Sequence, residues 1–130
     1  KIVEKKISED KDAPGQITMR VTTDKGMGSI TGTVFSKDEI RITAVDGYKI
    51  DLIPEGYILL SYHQDAPGVV GKVGTLLGRN DINIAYMQLG RKKYRGEALM
   101  ALGTDEGIPE NVLNEITKMD NLANTVLIRL

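Results

Sequence analysis

His63-Gln64-Asp65-Ala66-Pro67-Gly68 is the stretch that decides the fold, because a strand pattern ends in it and a helix pattern begins. Residues 57–63 are predicted to form a β-strand that leads into it. After it, apolar residues recur at i, i+4 and i+7, which predicts a helix over residues 68–80: Val69, Val73 and Leu76. The stretch is therefore a turn from a strand into a helix, with its Pro-Gly pair at the point where the helix opens.

A similar succession of strands and helices continues to the end of the chain. Strands are predicted over residues 82–90 and 95–104, joined by the basic loop Arg91-Lys92-Lys93-Tyr94. A second helix is predicted to begin near Pro109, and residues 125–130 are predicted to form the last strand. The order β-α-β-β-α-β predicts a ferredoxin-like domain, with two helices on one face of a four-stranded antiparallel sheet. The other face is apolar, which predicts contact with a neighbouring domain or subunit.

The first part of the chain has a different pattern, that of an antiparallel β meander. About four strands are predicted, over residues 17–22, 29–35, 40–45 and 48–52. Asp46-Gly47 lies between the last two and predicts a two-residue type I′ hairpin turn. Pro54-Glu55-Gly56 is a breaker. We therefore expect an α+β chain with one domain over residues 1–53 and a second over residues 57–130.

The first domain is predicted to be incomplete. The chain begins inside what looks like a strand, at residues 1–5, which indicates a piece of something longer. No helix in this part is long enough to cover a face of the sheet, so we expect residues 1–53 to complete a domain whose first half lies elsewhere. The motif Asp-Ala-Pro-Gly occurs at residues 12–15, where we expect a loop, and again at residues 65–68.

Composition argues against several classes of function. Among 130 residues, 17 basic and 18 acidic side chains leave a net charge of -1, without the basic excess that a nucleic-acid binder uses. The absence of cysteine excludes a disulfide framework and fits the cytoplasm. A single histidine argues against a zinc centre. No apolar run approaches the roughly 20 residues of a transmembrane helix, so no membrane partner is expected.

Two familiar chemistries are excluded by spacing and side-chain type. Ser61, His63 and Asp65 share one face of a strand, where neighbours begin roughly 6.5–7 Å apart. A nucleophile and its base need about 3 Å between heavy atoms, so no catalytic residue is expected. The RNA-recognition motif shares the order of elements. Its aromatic platform positions are here Glu97, Leu99 and Leu102, on which bases cannot stack.

Glycines at positions 68, 71, 74 and 78 fall along one stripe of the predicted helix. Each glycine weakens a helix by about 1 kcal/mol relative to alanine. The stripe therefore predicts that something approaches the helix closely: the sheet, another subunit or a ligand. For Gly74 and Gly78 we expect close packing.

The turn has the chemistry to bind an amino acid. The first N–H groups of a helix opened by Pro67 and Gly68 accept a carboxylate. Asp65 can accept hydrogen bonds from an ammonium group, and Asn83, expected at the start of the adjacent strand, offers a donor and an acceptor. The alternative is that Asp65 only caps the helix. The residues by themselves do not decide between the two.

Several segments resemble known families. Asp65-Ala66-Pro67-Gly68-Val69, the Leu76-Leu77 end of the helix and Asp81-Ile82-Asn83-Ile84 resemble an ACT domain, the amino-acid-sensing module of metabolic enzymes. The resemblance runs from about residue 57 to residue 130. Further segments resemble the C-terminal end of the long-form D-3-phosphoglycerate dehydrogenases: residues 42–48, 55–60, 71–78 and 96–100. In that family an allosteric substrate-binding domain precedes the ACT domain, and residues 1–53, with Gly32-Thr33-Val34-Phe35, resemble its second half.

The resemblance implies a regulatory role without catalysis in this chain. L-serine, the end product of the pathway, would bind between paired ACT domains, which make the protein a homo-oligomer. The pocket-lining residues of the family correspond here to His63, Asp65, Pro67, Gly68 and Asn83. Position 65 is often Asn in serine-inhibited members, and an ionised Asp donates no hydrogen bond. NAD and hydride transfer would belong to the catalytic domains of a parent chain, so no cofactor is expected here.

Two other interpretations stay open. One is the β chain of an iron–sulfur L-serine dehydratase, although Glu55-Gly56-Tyr57 and residues 74–78 favour the dehydrogenase. The other is an oligomerisation module that binds no ligand. In the first domain, Arg20, Arg41 and Lys49 are candidate anion-binding residues, with solvated surface charges as the alternative.

Overall fold

The computed structural model describes residues 2–7 by their backbone, and residues 15–37 and 39–130 in full. The loop expected at residues 12–15 lies outside this part except for Gly15. The chain divides into two compact units, residues 1–54 and residues 55–130. Both are built on antiparallel sheets, and the two helices belong to the second unit. The predicted α+β class, a meander followed by a ferredoxin-like domain, is confirmed.

The first unit is a five-stranded meander whose strands are paired in chain order. Its strands are β1 (Ile2–Ile7), β2 (Gln16–Thr23), β3 (Gly26–Ser36), β4 (Glu39–Val45) and β5 (Tyr48–Leu52). The strand expected at the start of the chain is β1, which pairs with β2. At the turn from β4 to β5, φ is 49° at Asp46 and 75° at Gly47, the positive values that a type I′ turn requires.

One face of this sheet is polar and the other apolar. On the polar face, Thr18 and Thr31 exchange a 2.9 Å hydrogen bond between their hydroxyl groups across β2 and β3. The apolar face carries large side chains that remain partly exposed: Ile17, Met19, Ile30, Val34 and Ile40. A shallow groove of about 360 Å³ runs along this face.

The second unit is a four-stranded sheet with two helices. Its elements are β6 (Tyr57–Gln64), α1 (Val69–Arg79), β7 (Ile84–Arg91), β8 (Glu97–Thr104), α2 (Glu110–Thr117) and β9 (Leu122–Arg129). The strand order is β7-β8-β6-β9, so β6 is central and β7 and β9 are the edges. Every pair is antiparallel. This is the β-α-β-β-α-β arrangement that the sequence predicts.

Both helices pack on the same face of this sheet. The buried core joins apolar side chains of the strands to those of the helices: Leu59, Met100 and Leu102 with Val73, Leu77, Val112 and Ile116. The opposite face carries Ile58, Leu60 and Leu99, which alternate with core residues along β6 and β8. No helix among the described residues has the length and apolarity that crossing a bilayer requires.

Strand β7 departs from the simple alternation that its sequence suggests. The pattern places Ile84 and Met87 on opposite faces. A register shift between Ile84 and Tyr86 brings both against the core, because a bulge changes which face the following residues occupy. Tyr86 lies over Gly103 of β8, where an added Cβ would overlap its ring.

The two ends of α1 are formed by backbone geometry. At its start, Gly68 has φ of 89° and no side chain caps the helix. At its end, Asp81 has φ of 57°, and the amide of Ile82 donates to the carbonyl of Leu77 at 3.1 Å. This is a Schellman arrangement in which Asp81 takes the position that usually holds glycine.

The glycine stripe of α1 does not pack against the sheet. A Cβ at Gly71 or Gly78 would meet nothing within 4 Å, and one at Gly74 would only touch the Ile84 side chain at 4.0 Å. The expectation of close packing is therefore wrong for Gly78 and weak for Gly74.

Candidate functional site

The strand-to-helix turn is tied to the neighbouring strands by hydrogen bonds on both sides. The amide of Gln64 donates to the carbonyl of Asn121 at 2.8 Å, and its side-chain amide donates to the carbonyl of Arg95 at 2.5 Å. The amide of Asp65 donates to the carbonyl of Gly96 at 2.8 Å. These bonds run to the residue before β9 and to the loop between β7 and β8, so they hold the turn against both.

A cavity of about 350 Å³ opens beside the turn. Its lining comes from the end of β6, from the turn that follows it, and from β7 and β8: His63, Asp65, Leu89, Arg91 and Ala98. The pairing of the strands explains why they meet. Ala98 lies opposite His63 on one side and opposite Arg91 on the other. The cavity is therefore on the helix-bearing face of the sheet, at the end where α1 begins.

Asp65 is held by an ion pair rather than by the helix. Its Oδ2 accepts hydrogen bonds from Nη1 of Arg91 at 3.1 Å and from the amide of Arg95 at 3.3 Å. The Arg91 hydrogen bond, opposed by partial desolvation, holds the pKa of Asp65 below its ordinary value of 3.8. Since α1 has no side-chain cap, the alternative in which Asp65 caps the helix is wrong.

His63, one of the residues that line this cavity, contains a buried polar atom. The residue is 4% exposed, and its Nδ1 has no hydrogen-bond partner within the part of the chain that the structure describes. Buried polar atoms in folded proteins are almost always paired, so an unpaired one indicates a missing partner. The Ser61 hydroxyl does not act as the nucleophile of a triad with His63, because it is paired with the Thr125 hydroxyl at 2.8 Å.

Pro67 and Gly68 are not in the cavity. Both are exposed, and Gly68 instead lines a groove of about 550 Å³ between α1 and α2, together with Lys72 and Glu115. The positive φ of Gly68 explains the glycine by backbone conformation, whether or not a ligand approaches it. The expected meeting of these two residues with His63 and Asp65 is therefore not found.

Asn83 lies at the far end of the sheet. It precedes β7, which is separated from β6 by β8, so the expectation that it starts the strand adjacent to β6 is wrong. Its side chain donates to Asp105 at 2.6 Å and its amide to Glu106 at 3.1 Å. The span of β7 from there to Arg91 is about 23 Å at the usual rise of a strand. Within one chain, Asn83 and Asp65 cannot share a ligand.

The candidate anion-binding residues of the first unit do not form one cluster. They belong to three different strands, and they pair with residues at different positions along the sheet: Arg20 in β2, Arg41 in β4 and Lys49 in β5. The guanidinium of Arg41 is already paired with Glu39 at 3.1 Å and Asp51 at 3.0 Å. The structure therefore does not support these three residues as a joint anion site.

Edge strand β7 carries opposite charges at its two ends. Basic residues follow its last residue or belong to it: Arg91, Lys92, Lys93 and Arg95. Acidic residues surround its start: Asp81, Asp105 and Glu106. The contacts of Asn83 with Asp105 and Glu106 place two of these carboxylates next to the beginning of β7.

Three residues of the cavity are not predicted by the sequence pattern: Leu89, Arg91 and Ala98. In the sequence, Arg91 stands out only as part of a basic loop. Its position beside Asp65 follows from the order β7-β8-β6 and from a register in which Ala98 lies between the two strands. Leu99 and Leu102, which occupy two of the positions that hold stacking aromatics in the RNA-recognition motif, are both fully buried.

Comparison with known proteins supports the same domain. The family model described as "ACT domain" matches residues 57–121. The whole chain is 41% identical to a D-3-phosphoglycerate dehydrogenase of Synechocystis, of which it covers 24%. It is 40% identical over 114 residues to the enzyme of the same name from Bacillus subtilis, covering 88% of the chain and 22% of the relative.

A second kind of relative is a protein of Bacillus subtilis named "Probable L-serine dehydratase, beta chain". It is 28% identical over 109 residues, which cover 84% of this chain and 50% of the relative. The chain spans about a quarter of the length of the dehydrogenases it matches. The matched residues 57–121 include the cavity and both helices, and through them this chain belongs to the ACT domain family.

Proposed function

We propose that this chain is the regulatory part of a cytoplasmic D-3-phosphoglycerate dehydrogenase and that it binds an amino-acid effector, L-serine, for feedback control. The observation that carries the proposal is the unpaired Nδ1 of buried His63 in a cavity that also contains Asp65 and Arg91. Membership of the ACT domain family and similarity to these dehydrogenases support it. NAD binding and hydride transfer are assigned to the catalytic domains of the parent chain.

The groups around the cavity match those of serine. Nδ1 of His63 accepts a hydrogen bond from the hydroxyl group, which is the donor that this buried atom lacks. The carboxylate of Asp65 accepts hydrogen bonds from the ammonium group. A cavity of about 350 Å³ accommodates a ligand of this size.

Two copies of the chain complete the site. Because β7 is an edge strand, its backbone can pair with β7 of a second copy across a two-fold axis. Antiparallel pairing sets the start of one β7 beside the end of the other. Asn83 of the second copy then approaches the cavity that Asp65 and Arg91 line.

Charge supports this arrangement. The basic end of each β7 meets the acidic end of the other, so two favourable contacts form at once. We propose that the homo-oligomer of the ACT domains is built in this way. Residues 1–53 are proposed to be the second half of an allosteric substrate-binding domain, on the basis of their similarity to the same dehydrogenases.

Calorimetric titration of the chain with L-serine tests the proposal, with D-serine and L-leucine as control ligands. We expect saturable binding of L-serine, and loss of binding in His63→Leu and in Asn83→Ala. The exposed Lys118→Ala serves as the matched control and should bind as the unchanged chain does. No binding of L-serine at millimolar concentration would contradict the proposal.

A mixing experiment tests whether the site is shared. A mixed pair of His63→Leu and Asn83→Ala chains has one site with both changes and one with neither. With random exchange, about one quarter of the wild-type sites should reappear in the mixture. No recovery after exchange has been verified would show that both residues act within one chain.

The alternatives give different results in these titrations. An oligomerisation module would remain a dimer and bind none of the amino acids. The regulatory part of an L-serine dehydratase would also bind serine, and similarity to its β chain keeps this candidate. The higher identity to the dehydrogenases favours the first proposal.

A further inference from the structure

The ion pair between Asp65 and Arg91 stands in the wall of the cavity and is open to solvent. The Arg91 side chain is 57% exposed and that of Asp65 27% exposed, with 3.1 Å between Nη1 and Oδ2. Exposed ion pairs contribute little to folding, typically about 0–1 kcal/mol. The pair therefore needs an explanation other than stability.

The ion pair leaves hydrogen-bonding groups of both residues available to a ligand. Oδ2 of Asp65 accepts from Arg91 and from the amide of Arg95, while Oδ1 has no partner among the described residues. Arg91 has five N–H donors and uses one of them on Asp65 within the same part of the chain. An acceptor and a fork of donors thus lie side by side at one cavity.

An α-amino acid carries the complementary arrangement on a single carbon atom. Its carboxylate fits the fork of a guanidinium group in a bidentate manner, and its ammonium group fits a carboxylate oxygen. We propose that the Asp65–Arg91 pair is a zwitterion clamp, with Arg91 as a specificity-determining residue that binds the effector carboxylate while Asp65 binds its ammonium group. This inference rests on the proposed amino-acid site.

The clamp changes what the site requires of its ligand. A ligand with only the ammonium group leaves the donors of Arg91 without an acceptor, and one with only the carboxylate leaves Oδ1 of Asp65 without a donor. Each analogue lacks one of the two charged hydrogen-bonding interactions that the complete amino acid makes, which discriminates against it. The carboxylate partner is then Arg91, in place of the N-terminus of α1.

The experiment compares L-serine with two shortened analogues by calorimetric titration of the whole chain. Ethanolamine lacks the carboxylate, and 3-hydroxypropionate lacks the ammonium group. We expect L-serine to bind at least about 10-fold more tightly than either, because each analogue loses one charged hydrogen-bonding group.

Variants assign each charge to its residue. Arg91→Met should weaken L-serine binding by about 10-fold or more and shrink its advantage over ethanolamine. Asp65→Asn should instead shrink its advantage over 3-hydroxypropionate. Arg91→Lys keeps the charge without the fork and should be intermediate. Lys118→Met removes an exposed charge that lies outside both the cavity and the basic end of β7, and it should change affinity less than about twofold.

The outcomes separate this inference from the function on which it rests. If L-serine binds and Arg91→Met leaves both its affinity and its advantage over ethanolamine unchanged, the clamp is wrong and the amino-acid site stands. If Lys118→Met causes the same loss as Arg91→Met, general attraction by positive charge on the chain replaces the clamp. If the unchanged chain binds none of the three ligands, the clamp and the proposed site both fail.

Discussion

At the scale of single residues, His63 is the strongest indication of a ligand-binding site, because it contains an unpaired buried atom. Burying a polar atom without a partner costs about 1–3 kcal/mol. The Nδ1 atom of His63 is in this position in the described part of the chain, so a ligand group that pairs with it would remove this cost.

Replacing His63 by leucine should separate stability from binding. Removal of the unpaired polar atom should leave the melting temperature unchanged or raise it. L-serine should raise the melting temperature of the unchanged chain by mass action and have no effect on the variant. Thermal melts with and without L-serine measure both quantities, and an equal rise in both proteins would place the ligand elsewhere.

The Asp65 carboxyl should titrate at a lower pH than an ordinary aspartate. Hydrogen bonding from Arg91 lowers its pKa in the folded chain, so its contribution to stability is present above the ordinary pKa of 3.8 and is lost as the pH falls through the lower folded value. Nuclear magnetic resonance of the carboxyl carbon follows this titration directly. In Arg91→Met the pKa of Asp65 should rise, and an identical titration in both proteins would show that the ion pair is absent in solution.

Asp65 also shows how far a sequence can define such a site. Its charge and its place before the helix are visible in the sequence, and they left helix cap and ligand group as equal choices. The partner that decides between them, Arg91, is 26 residues away in the chain. Only the strand order and register bring the two together, and neither can be read from the turn itself.

At the scale of elements, the first two glycines of the stripe, Gly68 and Gly71, should respond to alanine in opposite ways. Gly68 has φ of 89°, so Gly68→Ala should destabilise the chain by about 1–2 kcal/mol. Gly71 lies within the helix with open space around it, so Gly71→Ala should stabilise by up to about 1 kcal/mol. Denaturant unfolding followed by circular dichroism compares the two, and equal effects would mean that strain at Gly68 is not what the glycine relieves.

The elements themselves could largely be predicted, whereas their ends and faces could not. Apolar periodicity identified both helices and the four strands of the second unit. The last strand begins at Leu122 rather than Thr125, and a register shift at Asn124, where φ is positive, interrupts the alternation from which its start could be recognised. Simple alternation would place Ile84 and Met87 on opposite faces of β7, but a bulge after Ile84 interrupts that alternation.

At the scale of the whole molecule, the two units differ in how fully their apolar side chains are buried. The core cluster of buried side chains lies entirely within residues 59–116 of the second unit. The described part of the first unit is a sheet whose apolar face keeps Ile17, Val34 and Ile40 partly exposed. On strand β5 the side chains of Tyr48, Ile50 and Leu52 are buried. That residues 1–53 complete a domain whose first half lies elsewhere stays a prediction.

Separating the units should therefore give two different results. Residues 55–130 should unfold cooperatively on heating, because their helices already cover one face of the sheet with a buried core. Residues 1–54 should show no cooperative transition, since the described part of this unit has no helix of its own and an isolated small sheet is marginal in water. Circular dichroism during thermal unfolding measures both, and a gradual transition in residues 55–130 would contradict the first expectation.

Because its two ends carry opposite charges, the β7 edge of one molecule favours one alignment with the β7 edge of another. Parallel alignment of two such edges would set basic ends together and acidic ends together, so repulsion selects the antiparallel one. At about 1 M salt, where charges are screened beyond about 3 Å, this selection disappears. The assembly we propose is therefore sensitive to ionic strength, and diluting the salt should favour the closed pair over disordered edge-to-edge growth.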